Sequence, residues 1–134
     1  MPEAERVLQV RQGVEKAEED WRAVEIPMRA EEELPASAIC FHAQQCVEKH
    51  LKAWLTSRGV LFPKTHDLAQ LVDLLPEPFD LRLNQQEQDA LTAYAVGTRY
   101  ASRTVGIEET REAVQIARAA REDLRKLLPE AALS

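Results

Sequence analysis

The sequence predicts an all-α protein, an up-and-down helical bundle of about five helices, four of them long. Residues that favour helix, such as alanine, leucine, glutamate and arginine, are frequent, and only four glycines occur. Apolar residues recur at intervals of three and four, which places them on one face of a helix. A chain of 134 residues also fits a single domain over residues 1–134, which can bury a core without a disulfide or metal.

The first two helices are predicted from long apolar stripes. Helix 1 is expected over Glu3–Glu25, with Pro27 ending it or bending the chain just beyond. Helix 2 is expected from near Pro35, since proline is tolerated in a first turn, to about Arg58, with Gly59 as its C-terminal stop. The stripes that predict them are Val7, Val10, Val14, Ala17, Trp21 and Val24, and then Ile39, Ala43, Val47, Leu51, Trp54 and Leu55.

Three further helices are predicted from their end signals. A short third helix is expected with Thr65 as N-cap and a stop at Pro76. Asn84 and Glu87 have the spacing of a capping box and should open a fourth helix, with Ala90 on its buried side. A fifth helix is expected over about 108–128.

Charge and composition narrow the class of function. The formal net charge is −6 and the sequence pI is about 5.1, which argues against a general polyanion binder but allows a local basic cleft. The N-terminal residues lack the apolar core of a signal peptide, and no apolar run approaches the ~18 residues of a membrane span. We therefore expect a cytoplasmic protein without membrane contact.

The two cysteines are predicted to be reduced. Cys40 and Cys46 are six residues apart on one predicted helix, about 9 Å of rise, whereas disulfide Cα atoms lie within about 7 Å. His42, Cys46 and His50 follow at intervals of four, which suggests a metal site. Positions eight residues apart are separated by about 12 Å along the axis, so only one adjacent pair could share an ion, with further ligands from another helix or subunit. We expect ordinary packing here, with no metal and no cofactor.

The polar side of helix 2 allows two interpretations. Glu48 and Lys52 form an i,i+4 pair, and Gln45 lies one turn earlier. The group is either a helix-stabilising ion pair or the polar wall of a cleft that meets helix 4 or another subunit.

Two more polar groups are candidates for binding. His66 lies at a predicted helix start, where a capping or structural role is favoured over acid–base catalysis. Arg99, Tyr100 and Arg103 form a basic and aromatic cluster after helix 4, which either binds a phosphate or pairs with the acidic surface.

Three segments in order resemble the HEPN domain (higher eukaryotes and prokaryotes nucleotide-binding). They are FHAQQCVEKHLKAWL at residues 41–55, GVLFPKTHDLAQL at 59–71 and LTAYAVGTRY at 91–100. The resemblance extends over most of the chain and implies a HEPN-like bundle that commonly dimerises through its helices. It also implies a link to toxin–antitoxin modules, because many stand-alone prokaryotic members are encoded beside a minimal nucleotidyltransferase.

Other members of the family are metal-independent ribonucleases that carry an Arg-x(4–6)-His motif near the fourth helix. Arg99 matches the position of the arginine, but no histidine follows His66 in this sequence. The nearest arginine-to-histidine run, from Arg58 to His66, has seven intervening residues and lies in a different loop. The acid–base partner of RNA cleavage is therefore missing from the motif, and an enzyme is not expected.

Three hypotheses follow from the residues and the resemblance. The leading one is a non-catalytic binding module, a homodimer or higher homo-oligomer that partners a nucleotidyltransferase and binds a nucleotide. The second is a divergent ribonuclease toxin that acts on RNA through Arg99, Arg103 and His66. The third is a purely structural oligomerisation domain. The candidate residues for nucleotide or partner binding are Gln45, Glu48, Lys52, His66, Arg99, Tyr100 and Arg103.

Overall fold

The protein is built from α-helices. Its structure, a computed structural model, describes residues 1–30, 32–76, 79–95 and 104–133. No strand occurs in these ranges, and a 3-10 turn at Ala93–Ala95 follows the fourth helix. The predicted all-α bundle is confirmed, with four helices of eight residues or more. The helices are α1 (Glu3–Ala30), α2 (Ala36–Ser57), α3 (Leu68–Asp73), α4 (Gln85–Thr92), α5 (Ile107–Leu127) and α6 (Glu130–Leu133).

The core forms where α2 packs between α1 and α5. The stripe predicted for α2 is buried throughout, and that of α1 is buried apart from Val7, which is half-buried. α5 contributes a face of small residues, which lets it approach α2 closely. Its buried residues are Thr110, Ala113, Val114, Ala117, Ala120 and Leu124.

The contact between α1 and α2 is close at Gly13. A Cβ atom built on Gly13 would lie 3.4 Å from the Cβ of Ala53 on α2, at the near limit of ordinary contact. The absence of a side chain at this point lets the two helices approach over a long interface, and Asp20 of α1 is buried against α2.

The prediction that Pro27 ends helix 1 is wrong, because α1 continues through it to Ala30. A proline in the last turn removes one backbone donor, and few residues follow it, so the loss is confined to the helix end. Met28 packs against the core and Arg29 donates to Glu25 over 2.8 Å, and both contacts favour the extra turn.

The other helix ends lie closer to the positions predicted from the sequence. Asp67, not Thr65, caps α3 by accepting from the Ala69 backbone N–H, while Thr65 accepts from the Asp67 N–H. The capping box at Asn84 is confirmed in both directions. Ala90 was expected to be buried and is exposed.

The short helix α6 was not predicted. It packs near α1, where Arg11 donates to the Ala131 carbonyl over 2.7 Å and Ala132 is buried. Within the described ranges, no helix combines the length and apolar character needed to cross a bilayer.

Candidate functional site

Glu48 lies at the centre of a hydrogen-bonded group on one face of α2. Its Oε1 accepts from Gln44 Nε2 at 3.1 Å and lies 2.9 Å from His66 Nδ1. Its Oε2 accepts from Lys52 Nζ at 3.0 Å, and Gln45 Nε2 approaches Oε1 at 3.4 Å. We call these five residues the Glu48 cluster.

The carboxyl group of Glu48 is ionised within this cluster. Burial by itself raises the pKa of Glu48, but hydrogen bonds from Gln44, His66 and Lys52 outweigh burial, and the pKa lies below its ordinary value. Because the carboxylate accepts, neutral His66 carries its proton on Nδ1. The His66 side chain is 62% exposed, so its other ring nitrogen is available to solvent or a ligand.

Gln44 joins α2 to the loop that precedes α3. It is fully buried, its amide donates to the His66 carbonyl at 3.0 Å as well as to Glu48, and its oxygen accepts from Gln45 at 2.7 Å. Lys52 also lies over the Phe62 ring, 5.8 Å from its centroid. The interior of the Glu48 cluster therefore has its hydrogen bonds satisfied, and only Lys52 and His66 extend outward.

The cluster contains four of the residues that the sequence suggested for binding, namely Gln45, Glu48, Lys52 and His66. Arg99, Tyr100 and Arg103 lie outside the described residues. Gln44 was missed, although its spacing of four from Glu48 was a usable signal. The binding roles of these residues stay predictions.

A second acidic residue, Asp20 of α1, contacts two other side chains of α2, those of His42 and Lys49. His42 Nδ1 lies 2.7 Å from Asp20 Oδ1, and Lys49 Nζ donates to Oδ2 over 2.7 Å. His42 is thereby directed away from Cys46 and His50, so the three residues at intervals of four do not converge, as helix rise predicted.

Glu18 of α1 forms a third group with α2 and α5. Arg121 donates to both of its oxygens, at 2.8 and 2.6 Å, and Arg125 Nη1 lies 3.4 Å from Oε1. His50 Nε2 lies 3.7 Å from Glu18 Oε2, while His50 Nδ1 is 2.9 Å from the Cys46 carbonyl. We call these five residues the Glu18 cluster.

Burial shapes the charges of the Glu18 cluster. It lowers the pKa of His50 to about 4, so the imidazole is neutral, and it raises the pKa of the Cys46 thiol, which nearby Glu18 raises further. Burial also raises the pKa of Glu18, but the hydrogen bond from Arg121 and the charges of Arg121 and Arg125 together outweigh burial, and the pKa is lowered. Glu18 is therefore a carboxylate beside a neutral imidazole and a protonated thiol.

Two polar atoms of the Glu18 cluster are left without hydrogen bonds. His50 Nε2 and Arg125 Nη1 are both buried, and the contact of Arg125 with Glu18 is an ion pair that lacks hydrogen-bond alignment. Such orphaned groups are uncommon inside proteins. A cavity of about 550 Å³ adjoins the cluster and is lined by Arg11, Glu18 and Arg125 among others.

Comparison with known proteins identifies relatives of the whole fold. A family model described as the HEPN domain matches residues 10–127. The crystal structure of TT1696 from Thermus thermophilus superimposes with a TM-score of 0.71 over 90% of this chain and 98% of that chain, at 23% identity. At that identity the likeness shows a shared fold. No curated protein matches the chain.

Proposed function

This chain belongs to the HEPN domain family, and we propose that it acts as a non-catalytic binding module of that family. In this proposal the chain forms a homodimer and is the partner of a minimal nucleotidyltransferase in a toxin–antitoxin-like pair. A nucleotide binds at the outer edge of the Glu48 cluster.

The observation that carries the non-catalytic role is the missing histidine. No histidine follows Arg99, so the Arg-x(4–6)-His motif that the family's ribonucleases use is absent. The histidines upstream have other partners, since His42 contacts Asp20, His50 contacts the Cys46 carbonyl and His66 contacts Glu48. General acid–base catalysis needs a group within reach of the reacting proton, and the motif supplies none.

The charges at the edge of the Glu48 cluster support a nucleotide ligand. Lys52 offers donors at the surface, and Lys64 lies exposed in the loop before α3. Phosphate groups are recognised by such donors, and arginines at positions 99 and 103 would add bidentate contacts. The buried carboxylate of Glu48 keeps Lys52 in place, so the positive groups face outward.

Exposed apolar side chains support association with another chain. Leu8 and Ile26 of α1 are 51% and 65% exposed, and Leu61 in the loop after α2 is 92% exposed. A second copy or a partner protein would remove this surface from water. Light scattering is expected to give the mass of a dimer, and a strict monomer at high concentration would refute the homodimer.

The decisive experiment is co-purification with the product of the neighbouring gene, followed by a nucleotide titration. We expect a stable complex and micromolar binding of ATP by the wild-type chain. Lys52→Ala should weaken nucleotide binding about tenfold, whereas Lys49→Ala, which removes a lysine of the same helix that faces Asp20, should not. Failure to bind either the neighbouring protein or a nucleotide would favour a purely structural oligomerisation domain.

One observation favours the ribonuclease as second candidate. Glu48 orients the exposed imidazole of His66, and a buried carboxylate that orients a histidine is a common acid–base arrangement. Metal-independent RNA cleavage that is lost in both Arg99→Ala and His66→Ala would establish this enzyme and overturn the non-catalytic proposal. No cleavage by the wild-type chain would exclude it.

A further inference from the structure

Three side chains of the types that bind zinc converge between α1 and α2. One donor atom from each of Glu18, Cys46 and His50 lies within 4.8 Å of the other two. In the described part of the chain, this is the one such group of three. Cys46 and His50 are one helical turn apart on α2, and Glu18 comes from α1, so the group is built by the packing of two long helices.

The hydrogen bonding of His50 prepares its ring for a metal. Nδ1 is 2.9 Å from the Cys46 carbonyl, and because a carbonyl only accepts, Nδ1 carries the proton and donates it there. Nε2 then presents a lone pair, and this atom is buried, unpaired and directed toward Glu18 Oε2 at 3.7 Å. Histidines that ligate metals usually donate their other N–H to a carbonyl or carboxylate in the same manner.

The buried Nε2 of His50 is an acceptor that faces another acceptor, Glu18 Oε2, with no cation or donor between the two atoms. Oε2 accepts from Arg121, whereas Nε2 has no hydrogen bond. In a tetrahedral zinc site with bonds of 2.0–2.3 Å, ligand atoms are about 3.3–3.8 Å apart. The separation between Glu18 and His50 already falls in that interval. Cys46 Sγ lies 3.5 Å from His50 Nδ1 and would have to move toward Nε2 to complete the site.

We propose that Glu18, Cys46 and His50 bind a Zn²⁺ ion, with a water molecule as the fourth ligand. The Cys46 thiol loses its proton to solvent as the Zn–S bond forms, so the ligands supply two negative charges and a neutral imidazole. The adjoining cavity of about 550 Å³, which Glu18 also lines, gives the ion and the water a path from solvent.

Two arginines near the site restrict which ions it accepts. Arg121 occupies one lone pair on each Glu18 oxygen, and the second lone pair of Oε2 is still available. Arg121 and Arg125 oppose any cation that is held by oxygen ligands alone, such as Mg²⁺ or Ca²⁺. A thiolate offsets their charge, and thiolate ligands select Zn²⁺ and its analogue Co²⁺.

Cobalt titration of the chain, freed of metal by chelator and without a histidine tag, tests this site. Co²⁺ bound to a thiolate gives a near-ultraviolet charge-transfer band that carboxylate or imidazole ligands do not produce. We expect this band to saturate at one equivalent of Co²⁺ per chain and to disappear when Zn²⁺ is added. Absence of the band in the wild-type chain, or a band of equal strength in Cys46→Ser, would overturn the proposal.

The same helix offers matched controls. Cys40→Ser changes the other buried cysteine of α2, which lies 3.9 Å from the Thr110 hydroxyl, and should keep the band. His50→Gln should weaken Co²⁺ affinity by about tenfold or more, while His42→Gln, which changes the histidine bound to Asp20, should not. Because His50→Gln keeps Cys46, it still decides the proposal if Cys46→Ser fails to fold. Equal affinity in His50→Gln and the wild type would contradict it.

Discussion

The Glu48 and Glu18 clusters occupy opposite faces of α2, and they differ in how completely their polar atoms are paired. Gln44, Glu48 and Lys52 follow one another at intervals of four, as do Cys46 and His50 two residues further on. Two residues correspond to about 200° of helical rotation, so the two sets point in nearly opposite directions. In the Glu48 cluster the buried donors reach a common carboxylate, whereas in the Glu18 cluster one histidine nitrogen and one arginine nitrogen have no hydrogen bond.

Because of this difference, the two groups of buried polar residues are expected to have different roles. A fully paired group stabilises the fold, and here it attaches the loop before α3 to α2 through Gln44. A group with an unpaired, buried atom is less stable than it would be with a ligand, because the atom has lost water without gaining a partner. We therefore expect the Glu48 cluster to matter most for stability and the Glu18 cluster to respond most to an added ion.

The largest effect should come from removing the centre of the paired cluster. Glu48→Ala removes one of the two acceptors of the fully buried Gln44 amide and the common acceptor of the cluster, while Lys52 and His66 turn to solvent. We expect the free energy of unfolding to fall by about 3 kcal/mol in a urea titration. Glu19→Ala, at a glutamate that is 59% exposed and pairs with Lys16, should change it by less than about 0.5 kcal/mol. Equal effects at the two positions would contradict the ranking.

Zinc should produce the next largest change in the free energy of unfolding, and only by binding at the Glu18 cluster on the other face of α2. An ion that binds the folded chain alone raises the free energy of unfolding by about 2.7 kcal/mol at a free concentration of 100 Kd. We expect this gain in the wild type and in Cys40→Ser, and its reversal when a chelator removes the ion. A comparable gain in Cys46→Ser would locate the ion elsewhere.

A pair of substitutions to leucine compares the faces directly in the absence of metal. Gln44→Leu removes the donor to Glu48 and to the His66 carbonyl and should lower the free energy of unfolding by about 1–2 kcal/mol. His50→Leu removes an unpaired buried nitrogen, and the Cys46 carbonyl keeps its bond within the helix, so stability should stay within about 0.5 kcal/mol of the wild type. Thermal unfolding of both variants in chelator measures the difference, and a His50→Leu loss as large as that of Gln44→Leu would refute it.

The smallest effect concerns a paired carboxylate at the surface. Asp123 accepts from the backbone N–H and the guanidinium of Arg82, which lower its pKa below the ordinary value of about 3.9. Since a lowered pKa stabilises the folded chain above the unfolded value, the contribution should be complete above about pH 5 and decline as the pH falls below about 4. Asp123→Asn should therefore lower the melting temperature slightly at pH 7 and progressively less in acid. A deficit that grows in acid would contradict this assignment.

The sequence predicted what local signals determine. Intervals of three and four identified the two longest helices and most of their buried residues, and the capping box at Asn84 depends on four neighbouring residues. The same spacing placed Gln45, Glu48 and Lys52 together on one side of α2. The passage of α1 through Pro27 was missed, because tertiary contacts of Met28 and Arg29 decide it.

Contacts between elements required the structure. His66 reaches Glu48 through the path of the loop after α2, which no local pattern specifies. Glu18 meets His50 only because α1 is rotated so that this glutamate, next to the buried Ala17, faces α2. A rotation of α1 by one residue would place a different side chain there, and a hydrophobic stripe alone does not fix the rotation that closely.

Because Gly13 has no side chain, α1 and α2 lie close together, and several polar contacts depend on this separation. The separation of the α1 and α2 axes is set where Gly13 faces Ala53, and Glu18 and Asp20 reach across the same interface one to two turns further along. A methyl group at residue 13 would just fit, whereas a branched side chain would wedge the helices apart and lengthen contacts that it never touches. Gly13 thus sets the separation of α1 and α2 at Glu18 and Asp20, although it contacts neither residue. A substitution at a position that has no functional group would therefore change the polar contacts of residues 18 and 20.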